Sequence, residues 1–135
     1  MHAKDLRIGN LITRHDLGTG EPRIEIIIEL RKDKALTSGP VTVICDYEDL
    51  NPIILTNEWL LKFGLQRDFL HLQNLQNKVL RLDCNSVDDL ALWISEYEDT
   101  PEETDANFNL KNIKYVHQLQ NLFFALTGKE LIFKY

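Results

Sequence analysis

The sequence predicts an α+β fold. A strand-rich N-terminal half forms a bent sheet or a small barrel; after it come a short helix, a β-hairpin or sheet, and a C-terminal helix followed by a strand. Three observations predict this. The run Arg23-Ile24-Glu25-Ile26-Ile27-Ile28-Glu29-Leu30 is β-branched and partly alternating, as strands are. Val116, Leu119, Phe123 and Leu126 recur at helical spacing and form one apolar stripe, which Tyr115 and Leu122 widen. Glycine- and proline-bearing stretches, Asp16 to Pro22 and Ser38-Gly39-Pro40, cut the first half into short pieces.

Taken in order, Gly9-Asn10 suits a turn, because both residues tolerate positive φ, and a strand follows over 10–14. The next strand is 23–30. Arg31 to Pro40 is polar and reads as a loop ending in a turn, and Val41-Thr42-Val43-Ile44-Cys45 is a further strand. Thr56 can cap a helix through its hydroxyl, with Glu58 in the first turn where the dipole favours negative charge. Trp59, Leu60 and Phe63 share a face of that helix, and Gly64 ends it. Phe69 to Leu72 and Val79 to Leu82 read as strands around a hairpin loop at 74–77. Residues 87–97 fit a helix capped by Ser86 or a strand, and the aromatic and β-branched run at Trp93 to Tyr97 favours the strand. Phe108 to Leu110 is a short extended piece. A helix over 114–126 stops at Gly128, and Leu131-Ile132-Phe133 returns as a strand. The expected core includes Ile26, Ile28, Val43, Trp59, Phe63, Leu119, Phe123 and Leu126.

With 135 residues the chain reads as a single domain, all-β over 1–50 and α+β over 51–135, long enough to fold without a metal or disulfide. Hydrophobic residues at 44% and charged residues at 27% exclude a disordered chain. Cys45 and Cys84 lie far apart in apolar stretches, with no partner at zinc-ligand spacing, and read as buried reduced thiols of a cytoplasmic protein. No apolar run approaches the ~18 residues of a membrane span, and the first residues lack the apolar centre of a signal peptide. A net charge of −6 argues against coating nucleic acid by bulk electrostatics.

Three segments, Asp5-Leu6-Arg7-Ile8-Gly9-Asn10-Leu11, Ile54 to Gly64 with its Leu55-Thr56-Asn57-Glu58-Trp59-Leu60-Leu61-Lys62-Phe63-Gly64 string, and Lys114 to Gly128 with Tyr115-Val116-His117-Gln118-Leu119-Gln120-Asn121-Leu122-Phe123-Phe124-Ala125-Leu126-Thr127, occur in that order. Together they resemble a family of small uncharacterised proteins from bacterial genomes and their phages or prophages. The resemblance covers about 35 residues at both ends and the middle of the chain. It implies a setting, a bacterial genome or mobile element, and marks no position as catalytic or ligand-binding.

The residues point the same way. His117, beside Tyr115 and near Gln120 and Asn121, is the most tempting group, either as a general base or as a metal ligand. Yet positions 120 and 121 are amides, so no helical metal pair forms. The expectation is a buried ring bonded to a backbone or neutral side-chain group and not lining the largest pocket. A distant carboxylate such as Glu58 or Asp83 would be needed to make it catalytic. The amides Gln118, Gln120 and Asn121 read either as a solvated helix face or as groups that hydrogen-bond to irregular loops the sheet cannot satisfy, and the second is expected for Gln120 and Asn121. His71, between two leucines, points away from the core. The acidic run Glu96, Glu98, Asp99, Glu102, Glu103 and Asp105 contains Pro101 and no glycine, so it is no calcium loop and reads as a solvated segment or a dock for a basic partner. Glycines are dispersed and form no phosphate-cradling loop. No catalytic residue, cofactor or metal is expected. The expected function is a non-enzymatic interaction or accessory protein with another protein as its partner. The alternative is a nucleic-acid-binding accessory module using Arg7, Arg14, Arg23, Arg31, Lys32 and Lys34 on the N-terminal strands.

Overall fold

A computed structural model describes residues 1–16, 18–65, 70–75, 78–84, 86–95 and 104–132, with side chains at all of these except 70–75, 78–79, 94–95 and 104–107. Within them the chain is α+β, with two four-stranded antiparallel sheets and two helices. Packing divides it into two compact units, Met1–Ile54 with Tyr115–Leu122, and Leu55–Lys114 with Phe123–Tyr135.

In the first unit, β1 (Leu11–His15), β2 (Pro22–Leu30), β3 (Lys34–Ser38) and β4 (Thr42–Asp46) form a meander in sequence order. The sheet is open, not a barrel. Gly9 carries the expected positive φ of 96°, and its N–H donates to the Ile27 carbonyl at 2.8 Å just ahead of β1. The stretch 31–40, expected as a loop, contains β3. Ala35 and Thr37 face the core and Lys34, Leu36 and Ser38 face away, an alternation that five residues of mixed polarity concealed.

The larger correction concerns β2. Ile26 and Ile28, expected in the core, lie 44% and 41% exposed, while Ile27 and Glu25 are buried. The run is apolar at both parities, so period-2 reasoning cannot choose a face. The choice lies with charge. Arg14 Nε and Nη2 donate to the two carboxylate oxygens of Glu25 at 3.0 and 2.7 Å, and the Thr37 hydroxyl donates to Glu25 Oε2 at 2.6 Å. Arg14 stands diagonally across the β1–β2 ladder from Glu25, and Thr37 comes from β3. Facing Glu25 inward fills its lone pairs and drives Ile24 and Ile26 outward. Ile28 sits at a bulge between Ile27 and Glu29 and is displaced outward with them. Leu6, Ile12, Ile27, Ala35, Cys45 and Leu50 close the core around this polar centre, while Val43 is only half-buried.

In the second unit, α1 (Asn57–Lys62) begins at Thr56, whose hydroxyl accepts from the Trp59 N–H. It ends in a Schellman arrangement. Gly64, at φ 70°, donates to the Leu61 carbonyl and Leu65 donates to that of Leu60. Trp59, Leu60 and Phe63 are buried as expected, with Lys62 lying 4.9 Å over the indole. The second sheet is β5 (Leu70–Leu75), β6 (Lys78–Asp83), β7 (Ala91–Ser95) and β8 (Thr104–Asn109), again in sequence order. Of the two readings of 87–97, the strand holds over 91–95 and the helix does not; residues 96–97 lie outside the described residues. Ser86 caps a single 3-10 turn at Val87–Asp89, and the strand follows. Cys45 and Cys84 are free and buried, and burial pushes the Cys84 thiol up to about 12.

The last helix, α2 (Val116–Thr127), starts two residues later than the apolar pattern predicts and stops at Gly128, φ 70°. Val116 and Leu119 are fully buried, while Phe123 and Leu126 are half-buried. Residues 131–132 carry no strand, and Phe133 lies outside the described residues. So do most of the acidic run and residues 76–77 of the hairpin loop expected at 74–77, whose residues 74 and 75 belong to the strand Leu70–Leu75 instead; the orientation of the His71 side chain is likewise not described.

The Arg14–Glu25 pair yields a direct prediction. Glu25→Gln leaves the buried guanidinium without its charge partner and should cost about 3–5 kcal/mol in a urea melt. The double change Arg14→Met with Glu25→Leu removes both charges together and should recover most of that loss. A single change that leaves the midpoint unmoved would mean the pair is solvated.

Candidate functional site

The four residues singled out in the sequence, Tyr115, His117, Gln120 and Asn121, all come together at the start of α2, against the first unit's N-terminal loop. Two of them have a clear structural task. The irregular turn at Gly9-Asn10 leaves backbone groups that the sheet ladder cannot reach. Gln120 Oε1 accepts from the Leu11 N–H at 2.9 Å, and Gln120 Nε2 donates to the Gly9 carbonyl at 3.1 Å. Asn121 Oδ1 accepts from Asn10 Nδ2 at 2.8 Å, and Asn121 Nδ2 donates to the Asp5 carbonyl at 3.2 Å. Asn10 in turn accepts from the Arg7 N–H at 2.7 Å. Both amides thus satisfy a loop, as expected, and neither side chain is left over for a ligand. Gln118, which the sequence places beside them, serves the helix itself. Its Oε1 accepts from the Tyr115 N–H at 3.1 Å, the return half of a capping box.

His117 is 4% exposed, and its ring stacks on Tyr115 with centroids 5.8 Å apart and planes 12° from parallel. The burial is as expected, but the hydrogen bond is not. Nδ1 is buried with no partner among the described residues. The ring also borders a cavity of about 460 Å³ that it shares with His2, Lys4, Asp5 and Pro52. Burial pushes the imidazole below its ordinary value, with the Asp5 carboxylate opposing. Asp5 makes no hydrogen bond to the ring, and Glu58 and Asp83 belong to the second unit. A general base works within hydrogen-bond reach of the proton it takes, and Nδ1 makes no hydrogen bond to a described residue. Here the ring has a stacked phenol and an unsatisfied buried nitrogen, which describes a packed aromatic more than a proton shuttle.

The basic residues of the N-terminal strands are largely neutralised. Arg14 is consumed by Glu25. Arg23 pairs with Asp16 at 2.9 Å, Arg31 with Glu29 at 2.6 Å and Lys34 with Asp46 at 2.8 Å. A second cavity, of about 340 Å³, is lined by Arg14 and Cys45 among others. Its guanidinium is already paired and burial raises its thiol, so it offers no activated group.

What the sequence reading missed is the opposite side of the first sheet. With Glu25 and Ile27 turned in, Ile24, Ile26 and Ile28 of β2 and Ile44 of β4 stand on one surface, 41–55% exposed. Leu36 lies between them, opposite Ile44 in the β3–β4 ladder. The missed signal was the spacing of Arg14 and Glu25 around a loop at 16–22. That spacing places opposite charges diagonally in a hairpin and fixes which parity of β2 is polar. Among the described residues, no group of three or more His, Cys, Asp or Glu is placed to hold a metal, and no helix is long and apolar enough to cross a membrane.

The burial of His117 predicts a pH dependence. The unfolded imidazole takes a proton near 6.5, the folded one only at lower pH. Its contribution is therefore complete above 6.5 and is lost as pH falls from there towards the folded value, at up to about 1.4 kcal/mol per pH unit. Urea midpoints should fall over this window in the wild type and fall less steeply in His117→Phe. Parallel curves would show a solvated ring. Compared with family models, curated proteins and solved structures, the chain matches none.

Proposed function

We propose that this chain is a non-enzymatic interaction protein that docks another protein on the outer face of its first sheet. The observation that carries the reading is the run of exposed isoleucines, Ile24, Ile26, Ile28 and Ile44, on a single sheet surface. A contiguous apolar patch is uncommon on a protein surface unless something covers it. Ile24 and Ile26 are held outward by the buried Arg14–Glu25 pair and Ile28 by the bulge, so this part of the patch is built into the sheet rather than left by loose packing. The pairing of Arg14, Arg23, Arg31 and Lys34 with carboxylates weighs against the nucleic-acid alternative, which needs unpaired cations to contact phosphates. The resemblance to proteins of bacterial genomes and phages makes a bacterial lysate the natural source of a partner.

The test uses a photo-crosslinking residue placed at Ile26, at Ile44, or at the exposed Lys129 as a control. Positions 26 and 44 should form an adduct with one and the same protein, and position 129 should not. Adding Ile24→Asp should abolish the adduct. Equal adducts from all three positions, or none from 26 and 44, would reject the sheet face as a docking surface.

A further inference from the structure

We infer that the free edge of β4 is a second docking site, which takes an extended, basic peptide segment as a fifth strand of the first sheet. β4 ends the sheet order and pairs with β3 alone. Successive residues of a strand aim their N–H and C=O groups at opposite edges, so about half of the groups in Thr42–Asp46 face outward. Among the described residues, none of Thr42–Asp46 makes a backbone hydrogen bond beyond β3. The other edge of the sheet is not equivalent. There Thr13 of β1 exchanges N–H and carbonyl bonds with Asn51, both at 2.9 Å. Native sheets blunt their free edges with proline, lysine or a bulge. Residues 42–46 hold no proline or lysine, and their pairing with β3 runs in continuous register.

The cavity of about 340 Å³ lies along this edge. It is bordered by Val43 to Asp46, by Glu48 and Asp49 of the 3-10 turn that follows β4, and by Arg14 and His15 of β1. Charge selects the occupant. The two cations at the cavity are already taken, Arg14 by Glu25 and Lys34 by Asp46. Glu48 and Asp49 are exposed and form no ion pair among the described residues, so the rim keeps uncompensated negative charge. Basic side chains complement that rim, while main-chain pairing holds the segment to the edge. The same charges disfavour other occupants. A second copy of this edge brings more carboxylates and no free cation, and nucleic-acid phosphates meet like charge. Exposed Ile44 and half-buried Val43 give apolar contact to alternate residues of an added strand. Pairing along the whole of β4 spans roughly 17 Å, so a short segment suffices.

Short synthetic peptides test this on the full chain. One alternates lysine with valine, one alternates glutamate with valine, and one is the lysine peptide methylated on its backbone nitrogens. The lysine peptide should bind, and should slow amide hydrogen exchange within Thr42–Asp46. Added salt should weaken it, because the rim charges are exposed. The glutamate and methylated peptides should each bind at least about tenfold more weakly. Glu48→Lys with Asp49→Lys changes two exposed side chains and should weaken the lysine peptide by about tenfold while strengthening the glutamate peptide. Ile24→Asp lies on β2, two strands away, and should leave the lysine peptide unaffected. Equal binding of the lysine and glutamate peptides, binding without protection of β4, or loss of binding in Ile24→Asp overturns the site. A lysine peptide that does not bind at all overturns it too, and leaves the outer isoleucine face standing on its own crosslinks.

Discussion

The first sheet depends on one buried ion pair. Glu25 would be costly to bury alone, and so would Arg14. Together, with the Thr37 hydroxyl completing the carboxylate's hydrogen bonds, they form a closed polar set at the centre of an otherwise apolar layer. The guanidinium hydrogen bonds and the Thr37 hydroxyl outweigh the burial that would raise the Glu25 carboxyl, so it sits below its ordinary value, and Glu25 raises Arg14 in return. Such a pair adds little net stability compared with hydrophobic residues of the same shape. What it supplies is orientation. A strand reading Ile-Glu-Ile-Ile-Ile could face either way, and a slip of one residue would exchange its faces. Gly39 fits the same arrangement: a Cβ there would come within 3.1 Å of Glu25 Cγ, against a side chain that three hydrogen bonds hold in place.

The start of α2 depends on amides in a similar way. Gln120 and Asn121 stand where the chain turns at Gly9-Asn10; three side-chain hydrogen bonds tie Gly9, Asn10 and Leu11 to the helix, and a fourth holds the Asp5 carbonyl. His117 lies on the neighbouring turn with its ring stacked on Tyr115. The cluster that looks most like a site in the sequence is thus mostly a joint. The surface that looks most like a strand interior is exposed.

Legibility in the sequence followed the range of the interaction. Thr56, Ser86, Gly64 and Gly128 act within a few residues of themselves, and their caps were readable. That Gln120 and Asn121 bond to an irregular loop was readable from their amide chemistry, but that the loop is the Gly9-Asn10 turn, 111 residues from Gln120, was not. The strand β3 was hidden because Lys34-Ala35-Leu36-Thr37-Ser38 alternates Ala and Thr against Lys, Leu and Ser, a weak hydrophobic contrast. The facing of Ile26 and Ile28 was hidden because it depends on Arg14 and Thr37, eleven and twelve residues from Glu25, meeting one carboxylate. Side-chain pairing across three strands leaves no periodic trace. The outer isoleucine face, the main functional feature, could not be read until that pairing was known.

The most direct measurement is thiol protection at adjacent positions of β2. Ile26→Cys and Ile27→Cys are prepared separately and reacted, at low concentration, with an alkylating reagent, and modification is located by peptide mass. The native Cys45 and Cys84 are buried and serve as internal references. The account predicts that position 26 reacts at the rate of an exposed thiol, and that position 27 reacts only as slowly as the sheet opens. Protection at 26 with rapid reaction at 27 would contradict it, and would return the isoleucines to the core.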